Sequence, residues 1–223
     1  MKRFYVVLGI VAVVGAAVVA VALRGGTPVI EPVDLGDITD QELVDLAQGV
    51  VYGDPDAPLT IMEFADYQCP SCGYFALSVK PFVDTDYIET GQAKLVFHDF
   101  PLDQHPHAFL AARAARCAGD QDRYFEYHDE VFRTQMEWTG LANPAAHFKD
   151  LAGDIELDAG AFGRCLDSDM HADVVTANRR LGERLGVGGT PAIFVHDGQA
   201  LTFVPGFEFA HVQQAMEAAG SGN

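Results

Sequence analysis

Apolar residues along the chain change period several times, and the changes mark its elements. Leu59 to Ala65 (LTIMEFA) is a near-continuous apolar run and predicts a buried strand. Lys94 to Phe100 (KLVFHDF) predicts a second strand, stopped by Pro101. Between them, Ser71 to about Tyr87 reads as a helix kinked at Pro81. From Pro106 to Leu185 helical spacing dominates. Ala108–Ala118 is rich in Ala and Arg, and Arg123–Trp138 sets Tyr124, Tyr127, Val131 and Phe132 on one face; Asp158–Leu166 and Ala172–Leu185 follow. Strand character returns at Ala192–Val195 and Leu201–Val204, joined by the hairpin signal Asp197-Gly198, and His211–Ala219 closes as a helix. Upstream, Thr39 and Glu42 form a capping-box pattern before Leu43, Val44, Leu46 and Ala47, and Gly53 to Pro58 is a turn. Strand–helix–strand, a helical block, then hairpin and helix predict an α/β sheet with a helical insertion.

One stretch fits neither period. Phe4–Leu23 is 20 uncharged residues, apolar all round, between Lys2–Arg3 and Arg24. At 1.5 Å per residue it matches the ~30 Å hydrocarbon core of a bilayer. It exceeds the roughly 7–15 residues of a secretory h-region, which predicts a retained anchor; Ala20-Val21-Ala22 keeps a cleaved signal as the alternative. The positive-inside rule leaves Lys2 and Arg3 in the cytoplasm and places the rest outside it. Gly25 to about Val33 has no periodicity and reads as a linker.

The formal charge is −18, and beyond residue 24 only 11 basic residues face 32 acids. That balance argues against a nucleic-acid binder, which needs clustered Lys and Arg. Four cysteines in 223 residues are too few for a disulfide-built scaffold.

The strongest chemical signal is Cys69-Pro70-Ser71-Cys72, which follows the first strand and opens the helix. Two cysteines at this spacing can close a small disulfide ring. The first sits at the positive helix end, where a thiolate is stabilised, so Cys69 is assigned as the attacking sulfur and Cys72 as the resolving one. Half of a zinc site is the competing reading, but no second C-x-x-C or H-x₃₋₅-H accompanies it.

Glu63 through Cys72 (EFADYQCPSC) resembles the active-site segment of the DsbA-like thiol:disulfide oxidoreductases of thioredoxin fold. His98-Asp99-Phe100-Pro101-Leu102, Cys117-Ala118-Gly119 and Gly189-Thr190-Pro191-Ala192-Ile193-Phe194-Val195 follow in the order that family shows. The resemblance spans about Gly53 to Ala219. Together with the patterns upstream, it divides the chain into a membrane anchor or signal at 1–24, a linker with a short helix at 25–53, a DsbA-like domain at 54–219 with its insertion at about 105–185, and a tail at 220–223. Pro191 alone reads as an ordinary trans proline at a strand start; the resemblance implies a cis bond, with Thr190 free to pair with an extended substrate. Glu63 alone either faces solvent or is buried in its strand. The resemblance implies a buried acid beneath the thiols, with a raised pKa and a proton to exchange with Cys72. Pro70-Ser71 departs from the Pro-His of the best-known strong oxidants, which predicts a less acidic Cys69 and a less oxidising couple.

The implied activity exchanges a Cys69–Cys72 disulfide with cysteines of exported proteins, with no soluble cofactor. The implied partners are those substrates and a membrane quinone-linked oxidase that restores the disulfide. A reductase or isomerase on the same fold, a metallochaperone using the cysteine pair, and an inactive scaffold are the alternatives. Cys117 and Cys165 fall in helices of the insertion; an even count and an exported compartment predict a structural disulfide, against two buried free thiols. His98, His105 and His107 lack a metal-ligand spacing and read as strand, turn and helix-start residues. Asp66 and Tyr67 read as surface-loop residues flanking the motif.

Overall fold

The computed structural model describes residues 28–220. Five strands, β1 (Val50–Tyr52), β2 (Leu59–Ala65), β3 (Ala93–Asp99), β4 (Ala192–His196) and β5 (Leu201–Val204), make one sheet in the order β1-β3-β2-β4-β5. β2 runs parallel to β3 and antiparallel to β4, so both of its edges are paired. Its central place explains the unbroken apolar run: both faces of the strand are covered. Gly198 (φ 89°) turns the β4–β5 hairpin, and the Asp197 carboxylate accepts from the Gln199 and Ala200 amides.

The chain from Pro70 to Ile88 is one helical run in four pieces. α2 (Pro70–Tyr74) passes through a π-helical turn, Phe75–Val79, into α3 (Lys80–Val83), and a second π-helical turn, Asp84–Ile88, follows. Pro81 lies in the first turn of α3, directly after the π-helical turn. The wider turn before it absorbs the change of register. This run covers one sheet face with α10 (Phe209–Gly220), around Ile61, Phe75, Val79, Val83, Leu95, Ile193 and Met216.

Six helices lie between β3 and β4 among the described residues: α4 (Ala108–Gly119), α5 (Tyr124–Arg133), α6 (Gln135–Trp138), α7 (Ala145–Asp154), α8 (Ala159–Leu166) and α9 (Ala172–Arg184). Their core gathers Phe109, Tyr127, Phe132, Trp138, Phe148 and Phe162, and it continues into Tyr67, Cys69 and Cys72. Buried polar tips are paired: Trp138 Nε1 donates to the Val131 carbonyl (2.9 Å) and Tyr127 Oη to that of Phe148 (2.7 Å). α9 returns to the other sheet face, and a Cβ on Gly182 would meet the Phe100 ring at 2.6 Å. Cys117 on α4 and Cys165 on α8 are disulfide-bonded across 48 positions, with Cα atoms 5.8 Å apart.

Some expectations need correction. The linker assigned to 25–53 ends too late: β1 lies within it and edges the sheet, and a preceding helix, α1 (Asp40–Leu46), packs Leu43 against Ala177 of α9. The lead-in before α1 is tied down as well, since Arg113 donates to the Val29 carbonyl (2.7 Å) and Thr176 Oγ1 accepts from the Val33 amide (3.0 Å). The Arg123–Trp138 helix is broken at Thr134 into α5 and α6. α7 escaped the pattern because only Phe148 and Leu151 supply bulk on its buried side, the rest being Ala. The proposed anchor, Phe4–Leu23, lies outside the described residues; among those described, no helix is long and apolar enough to cross a membrane.

A buried ion pair joins insertion to sheet. Arg116 of α4 donates through Nε to Asp99 at the end of β3 (2.5 Å) and through Nη2 to the Gln48 carbonyl (2.9 Å). Arg116→Ala strands the Asp99 carboxylate away from water. It is expected to lower unfolding stability by about 3–5 kcal/mol, read from the urea midpoint at unchanged m-value.

Candidate active site

The site begins where β2 runs out. The loop Asp66–Gln68 carries the chain off the sheet, and Cys69 is the N-cap of α2, in extended conformation, with Pro70 in the first turn. Both thiols are free. Cys69 retains 8% exposure, whereas Cys72, one turn into the helix, has none.

Their surroundings push the two thiols apart. The Cys69 pKa falls from 9.0 to about 5: the Cys72 thiol donates to it, Thr190 adds a hydrogen bond, and the Cys72 and Ser71 backbone N–H groups point at it, against the effect of burial. Ser71 therefore acts through its backbone. The Cys72 pKa rises well above the ordinary value, chiefly through burial and then through its neighbour Cys69. The Asp66 amide donates to Cys72 Sγ (3.4 Å).

Thr190-Pro191 is a cis peptide, and the Thr190 carbonyl faces Cys69 Sγ at 3.4 Å. Pro191 immediately precedes β4, which pairs with β2, so the sheet register brings Thr190 to Cys69. Glu63 is 1% exposed on the β2 face that carries Leu59 and Ile61, and its Oε1 has no hydrogen-bond partner. Burial raises its pKa from 4.5 to about 8, opposed by the charge of Lys80. Lys80 is itself buried, paired with Asp84 (2.7 Å) and set over the Tyr52 ring at 4.3 Å.

Asp66 and Tyr67 are not surface residues: each is 1% exposed. The Asp66 carboxylate accepts from the Gln68 amide (2.6 Å) and the Leu102 amide (2.8 Å) and holds His105 Nδ1 at 2.8 Å, so it staples the loop before Cys69 to the segment after β3. Tyr67 stacks on Phe132 and bonds Tyr124 Oη at 3.1 Å. The sequence also gave no notice of Gln135. Its amide reaches in from α6 and donates to the Tyr67 carbonyl (2.8 Å) and the Cys69 carbonyl (2.9 Å). Gly73 leaves room for it, since a Cβ there would stand 3.0 Å from Gln135 Oε1. An acid directly after a buried strand was the available signal for Asp66. Gln135, 66 positions from Cys69, has no local one.

The histidines lie off the thiols. His98 is buried on the sheet face opposite Glu63, stacked on Phe64 and 2.5 Å from Asn178 Oδ1, with burial lowering its pKa to about 4. His105 serves Asp66, and His107 precedes α4, its amide bonded to Gln68 Oε1 (2.8 Å).

A family model described as thioredoxin matches residues 45–202. The chain belongs to the thioredoxin family, in its DsbA-like branch. Disulfide bond formation protein D of Bacillus subtilis is 27% identical over 175 residues, covering 75% of either chain. The crystal structure of oxidised BdbD from Bacillus subtilis matches with a TM-score of 0.68 at 25% identity, over 87% of this chain and 96% of that one. Alpha-DsbA1 of Wolbachia pipientis matches with a TM-score of 0.67 at 26% identity, over 77% of this chain and 90% of that one. A Na(+)/H(+) antiporter NhaA 1 of Mycobacterium sp. (strain KMS) is 34% identical over 161 residues, and the match covers 24% of that protein. In this DsbA-like chain the helical insertion does more than decorate the sheet: through Gln135 it holds the loop that carries the thiols.

Two titrations check these environments. Thiolate absorbance at 240 nm should titrate with a midpoint near 5 in the reduced protein and shift upward in Cys72→Ala, which loses the main donor. For Glu63, the folded carboxyl keeps its proton to about pH 8 while the unfolded one loses it near 4.5, so the folded state binds the extra proton between those values. Stability is therefore expected to fall as pH rises through that window, and Glu63→Gln should remove that slope in urea titrations at several pH values.

Proposed function

We propose that this thiol:disulfide oxidoreductase works outside the cytoplasm, passing a Cys69–Cys72 disulfide to cysteines of exported proteins. The observation that carries the reading is the division of labour between the thiols: Cys69, the more accessible of the two, with a pKa of about 5, and Cys72 fully buried with a raised one. A substrate thiolate attacks Cys69 Sγ in the disulfide, and Cys72 leaves. A second substrate thiolate then attacks the substrate sulfur of the mixed disulfide and releases Cys69. A thiol ionising near 5 is a far better leaving group than an ordinary thiol near 8.5, so this second step runs toward oxidised substrate.

Cys72 must take up a proton when it leaves, because its surroundings disfavour the anion. Glu63, which holds its proton to about pH 8, is assigned as the donor. The Thr190 backbone beside the cis peptide is assigned as the edge on which an extended substrate pairs. A Cys69 pKa of about 5 stands above the roughly 3.5 of the strong oxidant DsbA, which supports a less oxidising couple for Pro70-Ser71. The exported location rests on Phe4–Leu23 and its basic flank, read as an anchor, and re-oxidation is assigned to a membrane quinone-linked oxidase.

Cys72→Ala in the native membrane should hold exported cysteine-containing proteins as dithiothreitol-sensitive mixed disulfides on Cys69. Equilibration of the wild type with glutathione should give a potential below the roughly −120 mV of DsbA. An empty trap together with a Cys69 unreactive to alkylation would overturn the exchange reading. Trapped proteins confined to the cytoplasm would overturn the exported one.

A further inference from the structure

Away from the active site, the disulfide of the insertion has unusual company. Among the described residues, Cys117, Cys165 and His171 bring their sulfur and ring-nitrogen atoms within 4.8 Å of one another. Asp120 completes the group: its Oδ2 is 2.9 Å from His171 Nε2 and 3.6 Å from Cys165 Sγ. Asp120 and His171 line a cleft of about 630 Å³, and the buried Cys117 and Cys165 lie next to them. His171 occupies the N-cap of α9 at φ 64°, a left-handed conformation uncommon for a residue with a Cβ, and gives that helix no side-chain cap. Its side chain is spent on the disulfide wall instead.

We propose that Cys117, Cys165, His171 and Asp120 form a zinc site that opens when their disulfide is reduced. Bonded to each other, the sulfurs have no thiolate to offer. A dithiol reductant supplies two electrons and two protons: its own S–S bond forms as the Cys117–Cys165 bond breaks. Zn²⁺ then displaces the two thiol protons. Two thiolates, an imidazole and a carboxylate are a donor set that suits zinc. Zinc bonds of about 2.0–2.3 Å in tetrahedral arrangement put donors roughly 3.3–3.8 Å apart, and the donor atoms of Cys117, Cys165 and His171 already lie within 4.8 Å of one another. Cα atoms 5.8 Å apart leave the two sulfurs room to part around an ion. The cleft supplies the entry path.

The site thus reports the redox state of the compartment, independently of Cys69 and Cys72. The full chain carrying Cys69→Ser and Cys72→Ser tests it, because only Cys117 and Cys165 can then supply thiolates. With Co²⁺ as the probe, the reduced variant is expected to bind one ion, with a sulfur-to-metal charge-transfer band in the near ultraviolet and tetrahedral bands in the visible. The oxidised variant should show neither. Adding His171→Ala, or separately Asp120→Ala, should weaken the binding by about tenfold or more. Zn²⁺ should displace the cobalt and slow alkylation of both cysteines, reversibly with a chelator. Two free thiols by titration without a charge-transfer band would overturn the proposal, as would affinity indifferent to His171 and Asp120. If reduction loosens the insertion, circular dichroism decides: structure restored by Zn²⁺ supports the site, and structure unmoved by it refutes it.

Discussion

A buried ion pair, Arg116 to Asp99, joins the helical insertion to the sheet, and the packing of the insertion against the Asp66–Cys69 loop builds on that seam. Burying two charges is costly: Arg116 is met by a carboxylate on one side and the Gln48 carbonyl on the other, while Asp99, its Oδ1 without a further partner among the described residues, relies on Arg116 alone. With α4 fixed there, α5 and α6 fall against the end of β2. Tyr67 then meets Phe132 and Tyr124, and Gln135 reaches the carbonyls of Tyr67 and Cys69. The sheet places the strand end that leads to Cys69. The insertion decides how the loop between them is held.

The same seam produces the contrast between the thiols. Cys72 shares the apolar interior of the insertion, where an anion is disfavoured, while Cys69 at the helix start finds hydrogen-bond donors ready for its charge. Glu63 extends the pattern inward. A carboxyl with an unpartnered oxygen in a packed strand face is unfavourable if ionised, so the fold keeps a proton there. The buried Lys80 moderates that effect without cancelling it, since its own hydrogen bond goes to Asp84. The two thiols and Glu63 therefore differ widely in proton affinity.

The insertion carries a disulfide of a different kind. Cys117 and Cys165 tie α4 to α8, at the opposite end of α4 from His107 and the loop that Gln68 supports. In the chain-entropy picture a loop of 48 positions stabilises by roughly 4 kcal/mol. Its polar neighbours, Asp120 and His171, are not needed for that stabilising role.

The sequence by itself determined what depends on neighbours along the chain. The apolar run of LTIMEFA named a strand buried on both faces, Thr39 with Glu42 named a capping box, Asp197-Gly198 named a hairpin, and Cys69 before a helix named the more accessible of the two thiols. Local period, capping and turn chemistry are enough for these, because the atoms involved are a few residues apart. It misplaced Asp66 and Tyr67 and overlooked Gln135, whose partners lie 36, 57 and 66 positions away in the chain. β1 was taken for linker for a similar reason: a run of only three strand-favouring residues, Val50-Val51-Tyr52, is too short to name a strand until β3 offers it an edge. Burial, charge state and the grip on the catalytic loop were decided by tertiary structure, because desolvation and long-range hydrogen bonds exist only after distant segments have packed.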